Sequence, residues 1–127
     1  MTSAQIAAIV ACVALAGLAV FQGLLIAGAP LGRFAWGGQH AVLPQKLRTS
    51  SMIALGLYAL FAFVALDRSG LISVLPDIVS GVAGWVLAVY GVLAIGLNVM
   101  SRSLPERLAM TPVAVVLAIC FMFVALG

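Results

Sequence analysis

Residues 78–101, IVSGVAGWVLAVYGVLAIGLNVMS, run without a single charged side chain. A helix rises 1.5 Å per residue, and a bilayer core of about 30 Å needs about 20 apolar residues to cross it. This stretch is long enough, and it reads as a membrane span. Working outward, the chain holds three more uncharged runs, at 1–32, 49–66 and 108–127. They place spans at about 4–28, 46–66, 79–100 and 106–126, with loops at 29–45 and 101–105 on one side. The first span lacks the basic leader of a signal peptide, and its apolar run is too long for one. The expected fold class is all-α: a four-transmembrane-helix bundle forming a single integral membrane domain over 1–127.

Composition supports that reading. Of the 127 residues, 65% are apolar and 7% charged. Soluble domains have about 45–50% apolar and about 25% charged residues. The same numbers exclude a disordered chain. The net charge of +3 is too small for a nucleic-acid footprint, so no nucleic-acid partner is expected. Cys12 and Cys120 lie inside apolar runs with no CxxC spacing, and His40 is the only histidine. No metal site and no cofactor are expected from such a set.

Orientation follows from the basic residues. Arg33, Lys46 and Arg48 fall between the first two spans, and Arg102 and Arg107 between the last two. Arg68 alone lies in the middle connection, beside Asp67 and Asp77. Basic loops stay in the cytoplasm, so both termini are expected outside. Trp36 and Trp85 sit where interface anchors belong.

The two halves resemble each other. LAVF at 18–21 matches LAVY at 87–90, LPQKL at 43–47 matches LPERL at 104–108, and FAFVAL at 61–66 matches FMFVAL at 121–126. The matches describe two repeated helical hairpins in parallel, with Arg33 and Arg102 at equivalent positions. Ser103-Leu104-Pro105-Glu106 has the form of a capping box. Pro112 is expected to kink the fourth span, or to split off a short interfacial helix from it.

Two groups of polar residues need an account. One is the cytoplasmic set Arg33, His40, Lys46, Arg48, Ser101, Arg102 and Arg107. It reads either as topology signal and lipid-headgroup contact or as a pocket for a phosphate, carboxylate or anionic headgroup. The loop at 28–44, with Gly28, Gly32, Gly37, Gly38, Pro30 and Pro44, reads as an interfacial or partly re-entrant segment. Its glycines could form an anion nest. The second set is intramembrane: Gln22, Tyr58, Tyr90 and Asn98. At 100° per residue, Ser80, Gly84, Ala88, Gly91, Ile95, Asn98 and Arg102 share one face, so Asn98 points inward, as does Gln22 on the first span. Interhelical hydrogen bonding is one role for these groups, and a substrate path is the other. No acidic or basic residue lies mid-span, which argues against a proton-coupled pump.

The motifs GAPLG at 28–32, LPQKLR at 43–48 and NVMSRSLPER at 98–107 resemble a widespread, uncharacterised family of small bacterial four-helix inner-membrane proteins. The resemblance implies a multi-pass protein of a bacterial cytoplasmic membrane and carries no activity with it. Three function classes stay open. A lipid- or anion-binding structural module would use the basic cytoplasmic side, with membrane lipids as partners. A homo-oligomeric transporter or channel would use the intramembrane polar residues. An enzyme has the thinnest support, because no acid lies near His40 in sequence to orient it as a base.

Overall fold

A computed structural model describes residues 1–127 as four helices: α1 Ser3–Ile26, α2 Gln45–Ser69, α3 Asp77–Val99 and α4 Leu104–Leu126. Each is long and apolar enough to cross a membrane. Every backbone polar group in hydrocarbon needs a partner, and 77 of the 95 backbone hydrogen bonds lie within the helices. The protein is a multi-pass membrane protein built as a helix bundle.

Local chemistry sets the helix ends. Thr2 and Gln5 form a capping box at the start of α1, with Thr2 Oγ1 accepting from the Gln5 amide at 3.1 Å and Gln5 Oε1 accepting from the Thr2 amide at 3.2 Å. α1 stops two residues before the expected span end at 28, because Gly28 turns left-handed at φ +96°. α2 runs past the charged Asp67 and Arg68 until Gly70, at φ +88°, closes it as a left-handed C-cap. α4 passes through Pro112 as one helix. Of the two outcomes expected there, a kink or a division, the division does not occur: α4 packs against both α1 and α3, and this packing outweighs one lost backbone bond. The capping box expected at Ser103 forms only half. Ser103 Oγ accepts from the Glu106 amide at 3.4 Å, but the Glu106 carboxylate takes the Ser101 hydroxyl instead, and the Ser103 amide donates to Ser101 Oγ at 3.2 Å.

Hairpins α1–α2 and α3–α4 each pack tightly, and α1 against α4 joins them, while α2 and α3 touch more lightly. Lipid is as apolar as leucine, so close backbone approach rather than hydrophobic burial holds such a bundle. The small-residue face of α3 supplies that approach: Ser80, Gly84, Ala88 and Gly91 are all buried. A Cβ on Gly91 would lie 2.7 Å from Ala118 Cα, whereas at Gly84 the nearest atom is the flexible Arg68 Cγ at 3.1 Å. The tighter crossing is therefore at Gly91. Ile95 and Asn98, on the same face, are half-buried, and Arg102 is exposed.

One end of the bundle is dry and close-packed. Ala8, Ala11 and Leu15 of α1, Val64 and Ala65 of α2, Leu87 of α3, and Leu117, Cys120, Phe121 and Val124 of α4 form its core. Cys12 is half-buried beside it. This end carries both chain termini. Only 26 of 127 residues are buried; outward side chains such as Ile53, Val82, Val86 and Leu97 are exposed, as a lipid-facing surface requires.

Candidate functional site

The opposite, basic end is built around the loop between α1 and α2. Two short 3₁₀ turns, Gly32–Phe34 and Trp36–Gly38, fold it back on itself. The Gly32 amide donates to the Ala41 carbonyl at 2.9 Å, and a Cβ on Gly32 would collide with the His40 carbonyl. Only glycine fits there. Ala35 and Leu43 are buried with Leu25 at the end of the bundle, so protein covers the loop where it turns inward. Arg48 pins the far side by donating from Nε to the Leu43 carbonyl at 2.8 Å. The amides of Gly32, Phe34, Ala35 and Gly38 already donate to carbonyls within the loop.

Trp36 has φ +52°, followed by Gly37 at +82° and Gly38 at +72°. A bulky residue in this left-handed region is strained, and something must hold it there. Its indole Nε1 donates to Ser51 Oγ on α2 at 3.1 Å, and Ser51 is fully buried. The second loop packs directly onto the first: the Ser103 hydroxyl donates to the Arg33 carbonyl, and Gly38 lies tight against Ser103.

Beneath this double loop is a cavity of about 170 Å³. All four helices and the loop contribute walls. Phe21 and Gln22 come from α1, Phe34 and Trp36 from the loop, and Tyr58 from α2. Tyr90 and Asn98 come from α3, and Glu106 and Met110 from α4. The structure thus brings Gln22, Tyr58, Tyr90 and Asn98 to one place. Gln22 is only 6% exposed. Its Nε2 donates to the Tyr58 hydroxyl at 3.4 Å, and its Oε1 is buried without a partner. Turning the amide over merely exchanges which end is orphaned. Asn98 Nδ2 donates to the Ala94 carbonyl at 2.8 Å. The Phe61 ring lies 4.7 Å from Tyr90 and 6.4 Å from Phe121 between centroids, linking the cavity wall to the apolar core.

The basic loop set lies elsewhere. Ser101 donates to Glu106. The Arg48 guanidinium packs at Gly28. Arg33, His40, Lys46, Arg102 and Arg107 are exposed, and none lines the cavity. Arg33 reaches the second loop through its backbone carbonyl; its guanidinium lies 5.3 Å from the Phe34 ring centre. Trp36, expected only as an interface anchor, is a cavity wall. Glu106, expected as a cap or as a partner between Arg33 and Arg102, is the one ionisable carboxylate of that wall. Ser51 carries no sequence signal at all, because its partner is set by the fold of a distant loop.

A wider hollow of about 610 Å³ lies on the outer face of α3 between Arg68 and Trp85. Its walls include the outward-facing Ile78, Val82, Val86 and Val89, so in a bilayer it is acyl-chain space. No family model, curated protein or solved structure matches this chain.

Proposed function

We propose that the chain is a small-ligand-binding module of a bacterial cytoplasmic membrane, with its site in the cavity under the glycine-rich loop. The observation that carries this reading is Gln22. A buried amide with one polar end unpaired costs free energy. A ligand in the cavity supplies the missing partner. An engineered cavity of about 150 Å³ accepts benzene, so 170 Å³ fits a ligand of about that size. The exposed basic side chains at the same end face anionic lipid headgroups and keep that end in the cytoplasm.

The polar walls also suit a transporter, but the core beyond the cavity is apolar. Leu117 lines the cavity and also belongs to the apolar core with Phe121 and Val124. That favours binding over a continuous path within one copy of the chain.

The test uses Trp36 as its own reporter. Trp85→Phe leaves it the only indole, since the chain has two tryptophans. In lipid nanodiscs, benzene-sized polar probes such as benzyl alcohol should change its emission saturably. Gln22→Leu should abolish that response. A wild-type cavity that no such probe saturates, or a Gln22→Leu protein that titrates like wild type, would refute the reading.

A further inference from the structure

We infer that the cavity selects a small organic ammonium ion over neutral or anionic molecules of the same shape. This rests on the reading that the cavity binds a ligand, and goes further by naming the ligand's chemistry. Three independent features of the wall point the same way.

The first is charge. Glu106 is the only ionisable acid or base among the residues that line the cavity, apart from the two phenols. Five of the six Lys and Arg residues crowd this end of the molecule, yet none of them reaches the wall. The carboxylate's one side-chain hydrogen bond comes from the neutral Ser101 hydroxyl. A half-buried carboxylate without a counter-ion is poorly compensated at the edge of hydrocarbon. A cation in the cavity compensates it directly.

The second is the balance of donors and acceptors. The Trp36 indole N–H is engaged by Ser51, and one N–H of the Asn98 amide by the Ala94 carbonyl. The Asn98 assignment is fixed, because a backbone carbonyl can only accept. That leaves the Asn98 carbonyl oxygen and the Glu106 carboxylate as fixed acceptors on the wall. A ligand that meets this pair of acceptors brings N–H donors. A protonated primary amine has three donors and a full charge.

The third is the aromatic surface. Phe21, Phe34, Trp36, Tyr58 and Tyr90 all contribute to the cavity. Ring faces attract cations, more strongly where water is excluded. Asn98 in the last turn of α3 and Glu106 in the first turn of α4 stand together at the loop end. They place the ammonium group there, with the ligand's apolar body deeper among the rings.

The experiment compares three probes of one shape: benzylammonium, benzyl alcohol and benzoate. Each is titrated at pH 7 against the Trp85→Phe protein in phosphatidylcholine nanodiscs, following Trp36 emission. Benzylammonium should bind at least tenfold more tightly than benzyl alcohol, and benzoate should give no saturable signal. Glu106→Gln keeps the shape and a hydrogen-bond acceptor for Ser101. It should bring benzylammonium within threefold of benzyl alcohol, with helical circular dichroism unchanged from the parent protein reporting that the variant is folded. Should Glu106→Gln not fold, the wild-type ranking decides alone. Benzyl alcohol binding as tightly as benzylammonium, with Gln22→Leu still abolishing both, overturns the cation inference and leaves the cavity reading standing. Benzoate binding most tightly overturns it in favour of the basic rim. Undiminished preference for the cation in Glu106→Gln also overturns it. No saturable signal from any probe removes both readings.

Discussion

The Trp36 indole donates to Ser51 across the mouth of the bundle, at 3.1 Å, from a backbone held at φ +52°. That single bond ties the glycine-rich loop to α2 and fixes one wall of the cavity. Left-handed geometry at a non-glycine residue costs about 1–2 kcal/mol, similar to the net worth of one hydrogen bond. Ser51→Ala should therefore release the loop while the helices stay intact. In the Trp85→Phe background, Trp36 should become more accessible to acrylamide quenching, with helical circular dichroism unchanged. Equal quenching in both proteins would show that the bond does not hold the loop.

At the α3–α4 crossing, the Cβ that leucine brings to position 91 has no room, because Ala118 Cα is 2.7 Å away. Gly96 lies on the same helix with open space around its Cβ position. Gly91→Leu should cost about 1–3 kcal/mol through overpacking, and Gly96→Leu much less. Unfolding by sodium dodecyl sulfate in mixed micelles measures both. Equal midpoints for the two variants would remove Gly91 from the packing interface.

Asp67 secures the opposite end. Its Oδ2 accepts from the Val74 amide at 2.7 Å and the Leu75 amide at 2.9 Å, and the residue is buried. Asp67→Ala leaves two amides to find new partners. A loss of about 2–3 kcal/mol is expected, since hydrogen bonds to a charged acceptor are worth about 1.5–3 kcal/mol each and water restores part of that. The segment 70–76 should become cleavable by protease in detergent. If the variant resists cleavage as wild type does, the carboxylate is not what orders the connection.

Orientation is tested with cysteines placed at exposed loop positions, in a protein from which Cys12 and Cys120 have been removed. Ser73→Cys should react with a membrane-impermeant maleimide on intact cells. Gln39→Cys should react only after permeabilisation, because the basic loops stay inside. The opposite pattern would invert the topology.

Anionic lipid should be held by many weak contacts at the basic end. Arg33, Lys46, Arg102 and Arg107 are all exposed, and each basic residue near an anionic surface contributes about 1 kcal/mol. Arg33→Lys or Arg102→Lys alone should leave retained phosphatidylglycerol, counted by native mass spectrometry, within twofold of wild type. Arg33→Ala with Arg102→Ala should lower it several-fold. A large loss from either single lysine variant would instead reveal a site that needs the paired donors of arginine.

The sequence by itself determined four membrane helices. Uncharged runs of sufficient length can only be satisfied in hydrocarbon as helices, so charge spacing alone places them to within a few residues. It also marked the small-residue face of α3 and singled out Gln22, Tyr58, Tyr90 and Asn98 as polar groups that lipid would not tolerate. Only the tertiary structure decided that these four share one cavity, that Trp36 and Glu106 complete its wall, and that the close crossing is at Gly91 rather than Gly84. Gln22 and Tyr58 lie 36 residues apart, and Arg33 and Ser103 lie 70 apart. Their meeting depends on how each helix is rotated and how a strained loop folds back. In a uniformly apolar sequence, helical period fixes which residues share a face, but the rotation of that face toward a neighbour is set by contacts between small side chains, which leave no pattern in the sequence.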